Sequence, residues 1–97
     1  YLGGLAPWHC GDIPFVFRNV EMEPAQCTGV EYTEQLQDTV SKAWLAFMKK
    51  GDPSTRKLKW NPYTTERPDR MIFAEECGMD TKDDTELLKL IMESYPC

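Results

Sequence analysis

The chain holds a single histidine, His9, and any chemistry in it centres there. Imidazole titrates near neutrality, and its two nitrogens can do different work. One takes a proton from a nucleophile while the other is held by a carboxylate. Cys10 adjoins the histidine and Asp12 follows three positions on. A Cys10–His9 nucleophile pair is disfavoured, because adjacent side chains on extended backbone point opposite ways. Asp12 reads more simply as a helix cap than as a triad acid. Ser41, Ser54 and Ser94 are the only serines, and none lies between glycines at G-x-S-x-G spacing. The residues thus offer a base without a nucleophile. A lone histidine is more often a surface or satisfied core residue, so its surroundings decide the reading.

Those surroundings are elements able to hold a loop. Gly3, Gly4 and Pro7 make residues 1–7 a loop. Asp12 then opens a short apolar turn over residues 13–17, with Pro14 in the first turn, where its missing N–H costs nothing. Residues 18–29 carry Pro24 and Gly29 and read as a surface connection. Thr33 to Lys50 predicts a helix with Leu36, Val40, Ala43, Trp44, Phe47 and Met48 on one stripe. Thr33 is its expected N-cap, Lys49 and Lys50 suit its negative end, Gly51 suits the C′ position and Pro53 stops it. Residues 52–69 are turn-rich. Arg70 to Glu75 is a short strand candidate. Thr81 to Ser94 predicts a last helix striped by Leu87, Leu88, Ile91 and Tyr95, capped by Thr81 or Asp83 and ended by Pro96.

These features fall in a familiar order. The His9 loop Pro7-Trp8-His9-Cys10-Gly11-Asp12-Ile13-Pro14-Phe15-Val16-Phe17 is followed by the helix Ala43-Trp44-Leu45-Ala46-Phe47 and its Gly51-Asp52-Pro53 stop. Trp60-Asn61-Pro62-Tyr63 and then Met71-Ile72-Phe73 come next. The ordered set resembles the C-terminal part of type-B carboxylesterases, the para-nitrobenzyl-esterase-like branch of the α/β-hydrolases. The resemblance implies an α/β-hydrolase parent, with this segment mainly helical and carrying a short β element. It implies that His9 is the base of a Ser-His-acid triad whose serine, acid and oxyanion-hole glycines lie upstream. The parent would hydrolyse carboxylic esters without a metal or organic cofactor. The chain departs from the common pattern at Pro7-Trp8, where many members have a small pair, and at Cys10, where many have glycine. Trp8 is a candidate substrate-pocket residue or, alternatively, a buried anchor.

Ninety-seven residues allow one small unit, and the resemblance makes residues 1–97 a piece of one esterase domain, not an autonomous domain. Its implied partners are the missing N-terminal part and an ester substrate. The apolar stripes, left uncovered, predict self-association of the isolated chain and no activity on its own. A net charge of −5 without a basic stripe argues against nucleic acid. No apolar run reaches membrane-spanning length, and no signal segment opens the chain. Cys10, Cys27, Cys77 and Cys97 are scattered, which disfavours a zinc site and predicts free thiols in a cytoplasmic setting. A second functional class stays open at this point: a non-enzymatic helical binding module on an esterase-derived scaffold.

Overall fold

A computed structural model describes residues 9–23, 31–81 and 84–95. Its elements are a one-turn helix α1 (Ile13–Val16), a 3-10 turn (Val20–Met22), the helix α2 (Thr33–Lys50), the strands β1 (Arg70–Ile72) and β2 (Gly78–Asp80), and the helix α3 (Thr85–Ser94).

α2 has the bounds its sequence predicts, although Tyr32 holds the N-cap position and Thr33 is buried in the first turn. Its end is built as expected. Gly51 takes a left-handed φ of 72° and donates its N–H to the Phe47 carbonyl at 2.7 Å. Asp52 then closes an Asx-type turn by accepting the Ser54 N–H at 2.8 Å. That hydrogen bond, chiefly, holds the Asp52 carboxyl below the ordinary carboxylate range.

The core is small. Phe15, Val20, Leu36 and Val40 are buried together, with Val16, Tyr32, Phe73 and Cys77 packed against them. α1 packs on α2, and the 3-10 turn contacts both. Residues 18–23 are therefore more than surface connection, since Val20 enters the core and its N–H reaches the Gln37 side-chain oxygen at 3.4 Å.

α1 ends in a Schellman pair. Asn19 N–H reaches the Pro14 carbonyl at 2.9 Å and Arg18 N–H reaches that of Phe15 at 3.4 Å. Arg18 occupies the left-handed position usually given to glycine, at φ 56°. Its guanidinium is then placed to grip Asp38 of α2, which Lys42 also contacts at 3.1 Å. Those two cations, Arg18 foremost, lower the Asp38 carboxyl from its usual range.

The predicted strand is real but shorter than residues 70–75. The chain bends at 74–76 and returns as β2, antiparallel, with Arg70 opposite Asp80 and Ile72 opposite Gly78. This second strand displaces the start of the last helix from Thr81 to Thr85, so Asp84 holds the N-cap position. The expected Thr81 cap is not formed, and Asp83 and Pro96 lie outside the described residues. Arg70 clamps the corner, donating to Asp80 at 2.9 and 3.0 Å and also to Asp84. α3 buries none of its residues.

Candidate active site

His9 begins the first described segment, in a turn over residues 9–12 that runs directly into α1. Its side chain is exposed. Behind it the turn is fastened by backbone: Ile13 N–H meets the Cys10 carbonyl at 3.2 Å, and the Asp12 carbonyl accepts Phe15 and Val16 N–H at 3.0 Å each. Pro14 and Phe15 are then buried, so the turn is seated on the core two residues after it ends. A projecting imidazole with packed residues close behind is the arrangement a general base needs.

The neighbours differ from expectation in two respects. Cys10 is in the left-handed region at φ 65°, not on extended backbone, and its thiol is free and exposed. A left-handed non-glycine residue costs on the order of 1–2 kcal/mol. Asp12 stands at the N-cap of α1, yet its carboxylate makes no capping hydrogen bond. The preceding turn has already put Asp12 into helical backbone (φ −87°, ψ −17°), and its carbonyl does the fastening.

The three serines have structural settings. Ser41 is buried within α2. Ser54 is buried after the helix stop, where its hydroxyl meets the Trp60 N–H at 3.0 Å and the Trp60 carbonyl at 3.3 Å. Ser94 donates to the Ile91 carbonyl at 2.8 Å in the last turn of α3. Among the described residues, no serine or carboxylate is hydrogen-bonded to His9. The candidate pocket residue Trp8 lies outside the described residues, as do Gly3, Gly4, Cys27 and Cys97.

Beside the turn, Asp12 and Trp44 border three open hollows. One of about 430 Å³ is walled by Ala43, Phe47, Pro53, Trp60 and Phe73. A second of about 300 Å³ reaches the core at Phe15, Leu36 and Val40. The third, about 550 Å³, runs past Ile13, Val16, Phe17, Leu45 and Met48. Trp60 meets Phe73 edge to face, with ring centroids 5.6 Å apart. The Trp60–Phe73 pairing was not visible in sequence, because the two lie on different elements. Among the described residues no group of His, Cys, Asp or Glu is placed to hold a metal ion. No described helix is long and apolar enough to cross a membrane.

His9 is thus an exposed histidine on an anchored turn whose last residue, Asp12, borders uncovered aromatic hollows. Comparison with known proteins gives the class. Residues 5–90 match the carboxylesterase family, and the chain belongs to that family. It is 31% identical over 83 residues to the para-nitrobenzyl esterase of Bacillus subtilis, matching 81% of this chain and 17% of that protein. A solved para-nitrobenzyl esterase superposes with a TM-score of 0.72 at 26% identity, covering all of this chain and 21% of its own. An esterase of Clostridium hathewayi, described as able to hydrolyse aliphatic aromatic polyesters, gives 0.72 at 32% identity over 91% of this chain and 18% of its own. The chain thus spans about a fifth of these relatives. It is an α/β-hydrolase segment, mostly helical with a two-stranded sheet.

Proposed function

We propose that this chain is the C-terminal part of a serine carboxylesterase and that His9 is its general base and acid. The observation that carries the reading is that His9, within the matched family span, is exposed on a turn leading into a helix that buries Pro14 and Phe15. In the reaction a serine from the upstream part attacks the ester carbonyl, and His9 takes the hydroxyl proton. The tetrahedral intermediate expels the alkoxide, to which His9 returns the proton, leaving an acyl-enzyme. Water then attacks the acyl carbon by the same sequence, releasing the acid and restoring the serine.

The remainder of the parent chain would cover the open faces. The chain exposes 7767 Å², whereas a compact monomer of 11.2 kDa exposes about 5,700 Å². Its radius of gyration of 15.3 Å likewise exceeds the roughly 13 Å of a compact domain of this length. Trp44, Phe47, Met48 and the α3 leucines are among the exposed large apolar side chains. Left alone, such faces favour self-association.

His9→Ala in the full-length esterase should lower kcat by about four to six orders of magnitude. The 97-residue chain alone should hydrolyse p-nitrophenyl esters no faster than free imidazole does, and should sediment as an oligomer. Retained activity of the His9→Ala enzyme would end the assignment of the base. An upstream reading frame without a G-x-S-x-G elbow would favour the binding-module alternative.

A further inference from the structure

Two non-glycine residues among those described have positive φ, Cys10 at 65° and Arg18 at 56°, and they bracket α1. Arg18 is explained by the helix it ends, since the left-handed turn completes the Schellman pair and presents the guanidinium to Asp38. Cys10 has no such reward in its side chain. Its thiol is exposed and free, and no hydrogen bond from it is formed among the described residues. What its conformation achieves lies in the backbone. It sets the direction from which the chain enters the turn that the Cys10 carbonyl closes by accepting the Ile13 N–H, 3.2 Å away. The turn carrying His9 is thereby tied to α1, whose Pro14 and Phe15 are fixed in the core. Everything on the N-terminal side of Cys10, the imidazole included, rotates with that one dihedral.

We propose that Cys10 is a positioning residue for His9, acting through its left-handed backbone and not through its thiol. The proposal rests on His9 being the base, and it adds which neighbour sets the direction of the imidazole. A base displaced by about 1 Å can lose on the order of a hundredfold in rate. Residues differ strongly in their tolerance of positive φ: glycine adopts it freely, asparagine readily, and β-branched residues hardly at all.

The test is a series at this position in the full-length esterase, Cys10→Gly, Cys10→Asn, Cys10→Ala and Cys10→Val, with His9→Ala as reference. Each is assayed for kcat and KM on a p-nitrophenyl ester and for thermal midpoint. The expected result is kcat within about threefold of the parent for Gly, Asn and Ala, and about a hundredfold lower for Val, with KM unchanged. If the Val variant fails to fold, the Asn–Ala pair carries the test, with the kcat of Asn exceeding that of Ala. Equal kcat across the series, an order following side-chain size, or a stability loss without a kcat loss would overturn the positioning role while His9→Ala stays inactive. An active His9→Ala enzyme would instead remove the base assignment itself.

Discussion

Phe15 and Phe17 are the same residue type two positions apart, and the fold gives them opposite fates. Phe15 is 5% exposed in the core against Leu36 and Val40, whereas Phe17 is 73% exposed on the rim of the apolar hollow. Truncating a buried phenylalanine to alanine costs about 3–5 kcal/mol. The open hollow of about 300 Å³ already beside Phe15 lets water or neighbours fill the gap, so the lower end, about 3 kcal/mol, applies. A chain of this length has on the order of 5 kcal/mol in total, so Phe15→Ala would remove more than half of it. Phe15→Leu is the measurable change, at about 1 kcal/mol. With a urea slope near 1 kcal/mol per molar, its unfolding midpoint, followed by far-UV circular dichroism, should fall by about 1 M. Phe17→Ala in the same chain should move stability by less than about 0.5 kcal/mol. In the full-length esterase the second result should change, because covering Phe17 makes its loss cost about 2 kcal/mol. Equal effects of the two substitutions in the isolated chain would refute the packing of α1 on α2. A Phe17→Ala change that is neutral in both proteins would refute the covering of this face by the upstream part.

Gly51 and Asp38 give two further tests. A Cβ at Gly51 would meet nothing within 4 Å, so Gly51→Ala should cost only the backbone penalty of a positive φ, about 1 kcal/mol by urea unfolding. Gly51→Asn should recover part of that loss. The Asp38 carboxyl is held below its ordinary range by Arg18 and Lys42. A depressed folded-state pKa contributes stability above the unfolded value near 3.9, lost as pH falls through the lower folded one. The urea midpoint should therefore drop on acidification below about pH 4, less steeply in Asp38→Asn and less steeply in high salt.

The sequence disclosed most where neighbouring signals agreed. Stripe, terminal charges and glycine stop all marked α2, and its bounds are those observed. β2 was not legible, because Gly78-Met79-Asp80 is too short to show alternation. It is held by the Arg70–Asp80 pair, whose partners lie ten residues apart. β2 also displaces the start of α3 from Thr81 to Thr85. The left-handed residues were hidden for another reason. Positive φ is normally announced by glycine, and here cysteine and arginine occupy those places under the constraint of α1. At the site, the flanking pattern singled out His9, but the turn that presents it could not be drawn without the backbone.

The stripe on α2 shows what periodicity does and does not specify. Leu36, Val40 and Ala43 lie 4%, 4% and 1% exposed, while Trp44 and Phe47, next on the same stripe, lie 47% and 52% exposed. Spacing fixes which face of a helix must leave water, and says nothing about what covers it. Here the first half of that face is covered by α1 and the 3-10 turn, within the same chain. The second half, with Trp60 and Phe73, walls a hollow that Asp12 borders three residues from His9. An apolar face continuing unbroken from core to opening fits a segment folded as part of a larger enzyme. In the proposed esterase, the aromatic residues surplus to this chain's own core would be the joint that brings His9 to its serine.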